Sequence, residues 1–163
     1  MNAVVIDTNV PIVANENDGD DASACAKACR RALEQATNAI ICIDDRHRII
    51  DEYIRQVGLI GTPGIGHAFV KRVHQMQAVP NVCEMVEIHP SNAVNEKENY
   101  DEFPDDPDLD GFDASDRKFV AVALASQHGP PVLNATDSDW WNDREALERN
   151  GVKIEFLCPE AFS

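Results

Sequence analysis

The chain has 163 residues, which suits one domain with its own core, and we expect residues 1–163 to form a single domain. Apolar residues make up 44%, which excludes a disordered chain, and no apolar run approaches the roughly 20 residues of a membrane-spanning helix. The formal net charge of −15 means that nucleic-acid binding would need locally clustered cations, bridging metal ions or a basic protein partner.

The N-terminus and the cysteines both indicate a cytoplasmic protein. The first residues contain no basic stretch followed by a long apolar run, so we expect no signal peptide. Five cysteines are an odd number, which in such a chain favours reduced thiols. Cys25 and Cys29 would share a face of a predicted helix, but no paired His or Cys offers the two further ligands of a zinc site. We therefore expect the cysteines to be small buried apolar side chains.

The chain begins with a pattern of strand, helix and strand. The β-branched run at residues 4–6 predicts a short buried strand. A polar, Gly-containing loop at residues 15–21 follows, and the Ala-rich residues 22–35 predict a helix. The apolar residues 39–43 predict a second strand.

A second helical region comes next. A helix that continues to about residue 57 has an apolar stripe with helical period, and Glu52 lies at the edge of that stripe. A Gly-rich turn covers residues 58–66, and it lacks the Lys and Ser or Thr of a phosphate-binding loop. Residues 67–77 predict another helix.

The rest of the chain contains a strongly acidic segment. Residues 82–88 predict a strand, and the acidic residues 95–116 contain two prolines that argue against regular structure. We expect this segment to be a solvated acidic loop that could cover a neighbouring site. The apolar stretch FVAVALA predicts a well-buried helix at residues 114–127. The last predicted elements are a strand at 132–134, a helix that starts at Asp139 or Asn142 and continues to Glu148, and a strand at 152–157.

The order of these elements predicts an α/β fold. Strands alternate with helices along the chain, which is typical of a three-layer α/β/α arrangement with a mainly parallel central sheet. In such sheets, ligands bind beyond the carboxyl ends of the strands.

Acidic residues occupy several of these strand ends and helix edges. Asp7 directly follows the first strand, Asp137 and Asp139 follow the fourth, Asp116 opens the buried helix, and Glu52 is half-buried. Carboxylates that converge repel one another unless a cation neutralises them. Mg²⁺ and Mn²⁺ prefer such oxygen ligands, and a pair of these ions can activate water against a phosphodiester.

Four motifs resemble the PIN-domain ribonuclease family. They are VVIDTNV at the start, RIIDEYI with Glu52, DRKFVAVALA with Asp116 and NATDSDW with Asp137. They follow the family's order and approximate spacing over nearly the whole chain. The resemblance implies a metal-dependent endoribonuclease in which Asp7, Glu52, Asp116 and Asp137 bind Mg²⁺ or Mn²⁺ and carry the catalysis.

The same resemblance implies roles for neighbouring residues. Thr8 and Asn9 would orient Asp7 and the bound water or phosphate, and Asp113 or Asp139 could add a contact or a further ligand. It also implies RNA as substrate, the toxin half of a toxin–antitoxin pair, a basic antitoxin partner and a possible homodimer, without a membrane. The substrate contacts would come from the most basic stretch of the chain, which contains Arg46, Arg48, Arg55, Lys71 and Arg72.

Each acid also has a purely structural interpretation. Asp113 and Asp116 could cap the helix that follows them, and Asp137 or Asp139 could serve as a turn or N-cap residue. Glu52 could be a surface charge beside a nearby arginine. For the whole chain, the alternative hypothesis is a catalytically inactive binding or regulatory module on the same fold. A phosphoacceptor of the receiver type ranks lower, because Asp7 has no adjacent acid.

Overall fold

The computed structural model describes residues 2–16, 23–58, 64–91 and 98–162. Most of the predicted loop at 15–21, the centre of the Gly-rich turn at 58–66 and the start of the acidic segment lie outside these ranges. Five parallel strands form one sheet in the order β3-β2-β1-β4-β5. The strands are β1 Ala3–Ile6, β2 Ile40–Asp44, β3 Cys83–Val86, β4 Val132–Asn134 and β5 Ile154–Phe156. Helices flank this sheet, so the predicted three-layer α/β/α fold is confirmed.

Within the described ranges, seven α-helices flank and connect the strands. They are α1 Asn9–Ala14, α2 Ala24–Ala36, α3 Arg48–Gln56, α4 Ile65–Met76, α5 Arg117–Ala125, α6 Ser138–Asn142 and α7 Arg144–Arg149. Sequence reasoning did not predict α1, which starts three residues after β1 and is one and a half turns long. The single helix that was predicted to end at Glu148 is instead two short helices, α6 and α7.

The strand order contains a reversal next to β1. The chain moves from β1 to β2 to β3 in one direction and then returns past β1 to β4 and β5. Because parallel crossovers are right-handed, the two directions place their helices on opposite faces of the sheet. α1 packs on α2 and α4, whereas α5 packs on β1, β2 and β4. The crevice between the carboxyl ends of β1 and β4 is therefore the point where such sheets bind ligands.

The acidic segment is partly core, and the prediction of a solvated loop is wrong for its apolar residues. Tyr100, Phe103, Leu109 and Phe112 are all buried, while most of the carboxylates between them are exposed. The buried Arg117 holds the segment by donating to the backbone carbonyls of residues 109, 110 and 112. Burial of the aromatic side chains stabilises the segment, and its half-buried Asp106 pairs with Arg149.

A disulfide joins α2 to the chain that follows β5. Cys25 and Cys158 are bonded, although they lie 133 residues apart in sequence, so the expectation of reduced thiols is wrong for this pair. Cys29, Cys42 and Cys83 are free and buried, as predicted. Such a bond is typical of oxidising compartments. Within the described part of the chain, no helix has the length and apolar character to cross a membrane.

Candidate metal centre

Three aspartates from distant parts of the sequence converge at the carboxyl end of the sheet. Asp7 follows β1, Asp116 ends a short 3₁₀ turn before α5, and Asp137 is the N-cap residue of α6. One carboxylate oxygen of each lies within 4.8 Å of the other two. Asp7 and Asp116 are buried, and Asp137 is half-buried. The structure therefore brings together three of the four acids that the sequence predicts as metal ligands.

The ends of β1 and β4 hold Asp7 in this position. The backbone amide of Asp7 donates to the carbonyl of Leu133 at 3.1 Å. The side-chain Nδ2 of Asn134 donates to Oδ2 of Asp7 at 3.0 Å. Oδ1 of Asn9 accepts from the amide of Ala135 at 3.1 Å, which ties the start of α1 to the end of β4. The carboxylate of Asp7 is thus fixed in the crevice where the strand order reverses.

Burial and mutual repulsion make the charged forms of these acids unfavourable. Burial, with smaller effects of the charges on Asp137 and Glu52, raises the pKa of Asp7 from 3.8 to about 7, although the hydrogen bond from Asn134 acts in the opposite direction. Burial also raises the pKa of Asp116 from 3.8 to about 9, with further effects of the Asp7 and Asp137 charges. A cation among the carboxylates would favour their ionised forms, so the cluster has the electrostatics of a cation site.

Glu52 lies beside the three aspartates, but other groups bind it. Its Oε1 accepts from Nζ of Lys118 at 2.9 Å, and its Oε2 accepts from the hydroxyl of Thr8. The guanidinium of Arg55 lies 4.0 Å from Oε1. With 9% exposure, Glu52 is not the surface charge of the alternative interpretation. The charge of Glu52 contributes to the raised pKa of Asp7. Its oxygens do not belong to the group formed by Asp7, Asp116 and Asp137, so direct metal binding by Glu52 stays a prediction.

Lys118 is a site residue that sequence reasoning missed. Its side chain is 4% exposed, and Nζ donates both to Glu52 and to the carbonyl of Ser115. A buried ammonium is costly unless it has a charged partner, and Glu52 is that partner. A signal was present in the sequence, because Arg117 and Lys118 begin a helix that is otherwise apolar all round.

Two asparagines leave polar atoms unpaired within the site. Nδ2 of Asn9 and Oδ1 of Asn134 are buried and have no hydrogen-bond partner among the described residues. Unpaired buried polar atoms cost free energy and usually bind something, such as water or an ion. Nδ2 of Asn9 can donate to a phosphate or a water oxygen, which suits the orienting role predicted for it. Asn134 was not predicted, although the strand-end rule applied to β4 indicates it.

A second group of acids shares Asp116. Carboxylate oxygens of Asp113, Asp116 and Asp139 also lie within 4.8 Å of one another, with Asp113 exposed and Asp139 half-buried. Asp113 caps the 3₁₀ turn by accepting from the amide of Ser115 at 3.0 Å. Asp137, and not Asp139, is the N-cap of α6, because Oδ1 of Asp137 accepts from the amide of Asp139 at 3.0 Å. Asp113 and Asp137 therefore combine capping with a place in an acidic group.

The predicted basic contacts are spread over two helices and the turn before α3. Arg46 donates to the carbonyl of Ile88, and Arg48 pairs with Glu98 at 3.1 Å. Lys71 and Arg72 lie on α4, where Arg72 donates to the carbonyl of residue 37. Arg55 is the one of these five whose guanidinium lies within 4.0 Å of an acid of the site, Glu52.

The site fits a hard divalent cation. The convergent atoms are carboxylate oxygens, and oxygen ligands suit Mg²⁺ and Mn²⁺. No family model, curated protein or solved structure matches this chain. A functional proposal therefore depends on the geometry of the chain itself and on its sequence motifs.

Proposed function

We propose that the chain is a PIN-like, metal-dependent endoribonuclease that hydrolyses RNA phosphodiester bonds. The observation that carries this proposal is the convergence of Asp7, Asp116 and Asp137 at the reversal point of a parallel sheet, with raised pKa values at the two buried members. The three acids come from three of the four motifs that resemble the PIN family. A structural role alone gives no reason to gather them, because their mutual repulsion lowers stability.

The residues of the site have separable tasks in this proposal. Asp7, Asp116 and Asp137 would hold Mg²⁺ or Mn²⁺, with Asp113 and Asp139 beside Asp116 as further possible ligands. Bound there, the metal ions would supply an activated water and charge stabilisation for the leaving oxygen. Asn9 would orient the water or phosphate through its unpaired Nδ2. Thr8 and Lys118 would fix Glu52 and balance its charge next to the aspartates.

The distribution of charge on the surface supports RNA and a basic antitoxin as the proposed partners. Arg48 and Arg55 are exposed on α3, the helix that carries Glu52, and Arg46 is exposed in the turn before it. We propose that these three arginines bind the RNA backbone. The exposed carboxylates of residues 101–113 offer a complementary surface to a basic antitoxin. A toxin role, the antitoxin and a homodimer are proposals that extend the nuclease, and each needs its own binding experiment.

The decisive experiment measures cleavage of labelled single-stranded RNA by the purified chain. We expect cleavage with Mg²⁺ or Mn²⁺ and none with EDTA. Asp7→Asn and Asp116→Asn should each lower the rate by at least about a hundredfold, because each removes one anionic ligand of the metal. Asp105→Asn is the matched control, since Asp105 is exposed and outside both acidic groups, and its rate should be unchanged.

Two outcomes would contradict the proposal. Cleavage that persists in Asp7→Asn would indicate a contaminating nuclease. A folded chain that binds Mn²⁺ but cleaves no RNA would favour the alternative of a binding or regulatory module. A parallel reaction with single-stranded DNA of the same sequence tests whether the substrate is RNA in particular.

A further inference from the structure

Three cysteine sulfurs lie together where α2 meets the chain that follows the edge strand β5. Cys25 and Cys29 are one turn apart on α2, and Cys158 follows β5. All three sulfurs lie within 4.8 Å of one another. Cys29 and Cys158 are fully buried, whereas Cys25 is partly exposed. The fold therefore gathers three cysteine side chains from two distant segments, with Cys25 and Cys158 133 residues apart and Cys25 partly open to solvent.

A disulfide alone does not account for the third cysteine. The bond joins Cys25 to Cys158, and Cys29 stays free beside it. Three of the other buried positions on α2 are alanines, namely Ala26, Ala32 and Ala36, which shows that small side chains fill this face without sulfur. Three adjacent sulfurs are the beginning of a site for a thiophilic metal ion.

We propose that the reduced chain binds one thiophilic divalent cation of the Zn²⁺ class through Cys25, Cys29 and Cys158. A tetrahedral site with metal–sulfur bonds of about 2.3 Å holds its sulfurs roughly 3.8 Å apart. The free sulfur of Cys29 already lies within 4.8 Å of the other two sulfurs, which is close to that spacing. The bonded pair, Cys25 and Cys158, must separate to reach it. A water molecule takes the fourth position in this proposal.

The chemistry balances in two steps. A phosphine reductant takes the oxygen of one water and leaves the two electrons and two protons on Cys25 and Cys158, which gives two thiols and a phosphine oxide. Three thiols then bind one divalent cation and release three protons to solvent. Burial, with a smaller effect of the Glu16 charge, raises the pKa of Cys29 to about 12, so this thiol is protonated until a cation displaces its proton. The disulfide and the metal are therefore alternative states of Cys25 and Cys158, and only the metal-bound state uses Cys29 as well.

The test is a Cd²⁺ titration of the phosphine-reduced, full-length chain without oxygen. Thiolate-to-metal charge transfer in the ultraviolet reports only sulfur-bound Cd²⁺, and excess Mg²⁺ is added to compete with Cd²⁺ for the carboxylates of the acidic centre. We expect one Cd²⁺ and three released protons per chain. Cys29→Ala should weaken Cd²⁺ binding by more than about a hundredfold. This loss is larger than the loss expected from removing a residue that only contacts a metal ligand. Cys83→Ala, which removes a buried free thiol elsewhere, should leave the affinity unchanged.

The controls separate this site from the acidic centre and from an unfolded chain. Asp7→Asn should leave the charge-transfer band unchanged, so failure of the nuclease proposal and failure of this one are distinguishable. If reduction unfolds the chain, Cd²⁺ should restore the circular dichroism of the wild type but not that of Cys29→Ala. Absence of the band, equal weakening by Cys29→Ala and Cys83→Ala, or full affinity in Cys29→Ala would each overturn the proposal.

Discussion

Asp7→Asn provides a quantitative test of the acidic cluster that does not depend on catalysis. The pKa of Asp7 is raised from 3.8 to about 7, chiefly by burial. A group whose pKa is higher in the folded state binds more protons there, so stability is lost as pH rises from the unfolded to the folded pKa. The loss is at most about 4 kcal/mol, since each of roughly three units corresponds to about 1.4 kcal/mol. Asparagine has a similar shape, can still accept from Asn134 and carries no charge.

The predicted result is a stability difference that grows with pH in the absence of metal. Between about pH 5 and about pH 8, Asp7→Asn should gain about 3 kcal/mol relative to the wild type, because the wild type alone loses its proton in this range. Saturating Mg²⁺ should reduce the stability advantage of Asp7→Asn over the wild type. At about a hundred times its Kd, Mg²⁺ stabilises the wild type by about 2.7 kcal/mol, and the variant with one anionic ligand fewer should gain less.

Urea unfolding at constant ionic strength measures these quantities. Urea is uncharged and does not screen the acidic surface, and the fully buried Trp140 provides a fluorescence signal. Asp105→Asn changes the net charge equally at an exposed position, so its difference from the wild type should stay nearly constant with pH. A difference for Asp7→Asn that does not grow with pH, or equal stabilisation of both chains by Mg²⁺, would refute the reasoning.

Four further predictions concern the rest of the molecule. Lys118→Met leaves Glu52 as a buried charge without its main partner, so urea unfolding should show a loss of about 3 to 5 kcal/mol that the double variant with Glu52→Gln largely recovers. No recovery would mean that the Lys118–Glu52 pair is not the cause. Cys158→Ser opens a loop of more than 130 residues, so under oxidising conditions it should lower the unfolding free energy by up to about 5 kcal/mol. Reduction of the disulfide in the wild type should lower the unfolding free energy by the same amount. Unequal losses would contradict the idea that the disulfide stabilises the fold by closing this loop. Sodium chloride should raise the melting temperature by screening the net charge of −15, and a salt-independent value would show that repulsion is unimportant. Deleting residues 99–109 should unfold the chain, as circular dichroism would show, because it removes Tyr100, Phe103 and Leu109 from the core. A folded deletion variant would contradict the assignment of this segment to the core.

Local patterns were sufficient for the five strands, for most of the helices and for the positions of most acids, but not for the short helix α1. The run Val4 to Ile6 is β-branched and apolar, and β1 lies there fully buried. Because the carboxyl ends of parallel strands meet at one edge, residues that follow strands, such as Asp7 and Asp137, could be predicted to converge. The apolar sequence after Asp116 likewise predicted the burial of α5. These inferences succeeded because each depends on neighbours within a few residues.

Pairings across long sequence distances were decided by the tertiary structure. Lys118 and Glu52 are 66 residues apart, and no local pattern specifies which buried charge neutralises which. Asn134 reaches Asp7 across 127 residues because β1 and β4 become neighbours only when the strand order reverses. The bond between Cys25 and Cys158 has the same origin, since a helix near the N-terminus packs against the end of the last strand. The sequence by itself determined the five strands, most of the helices and the acids at their ends. Only the packed sheet decided their partners, because contact between distant segments depends on strand order and burial, which short-range periodicity does not encode.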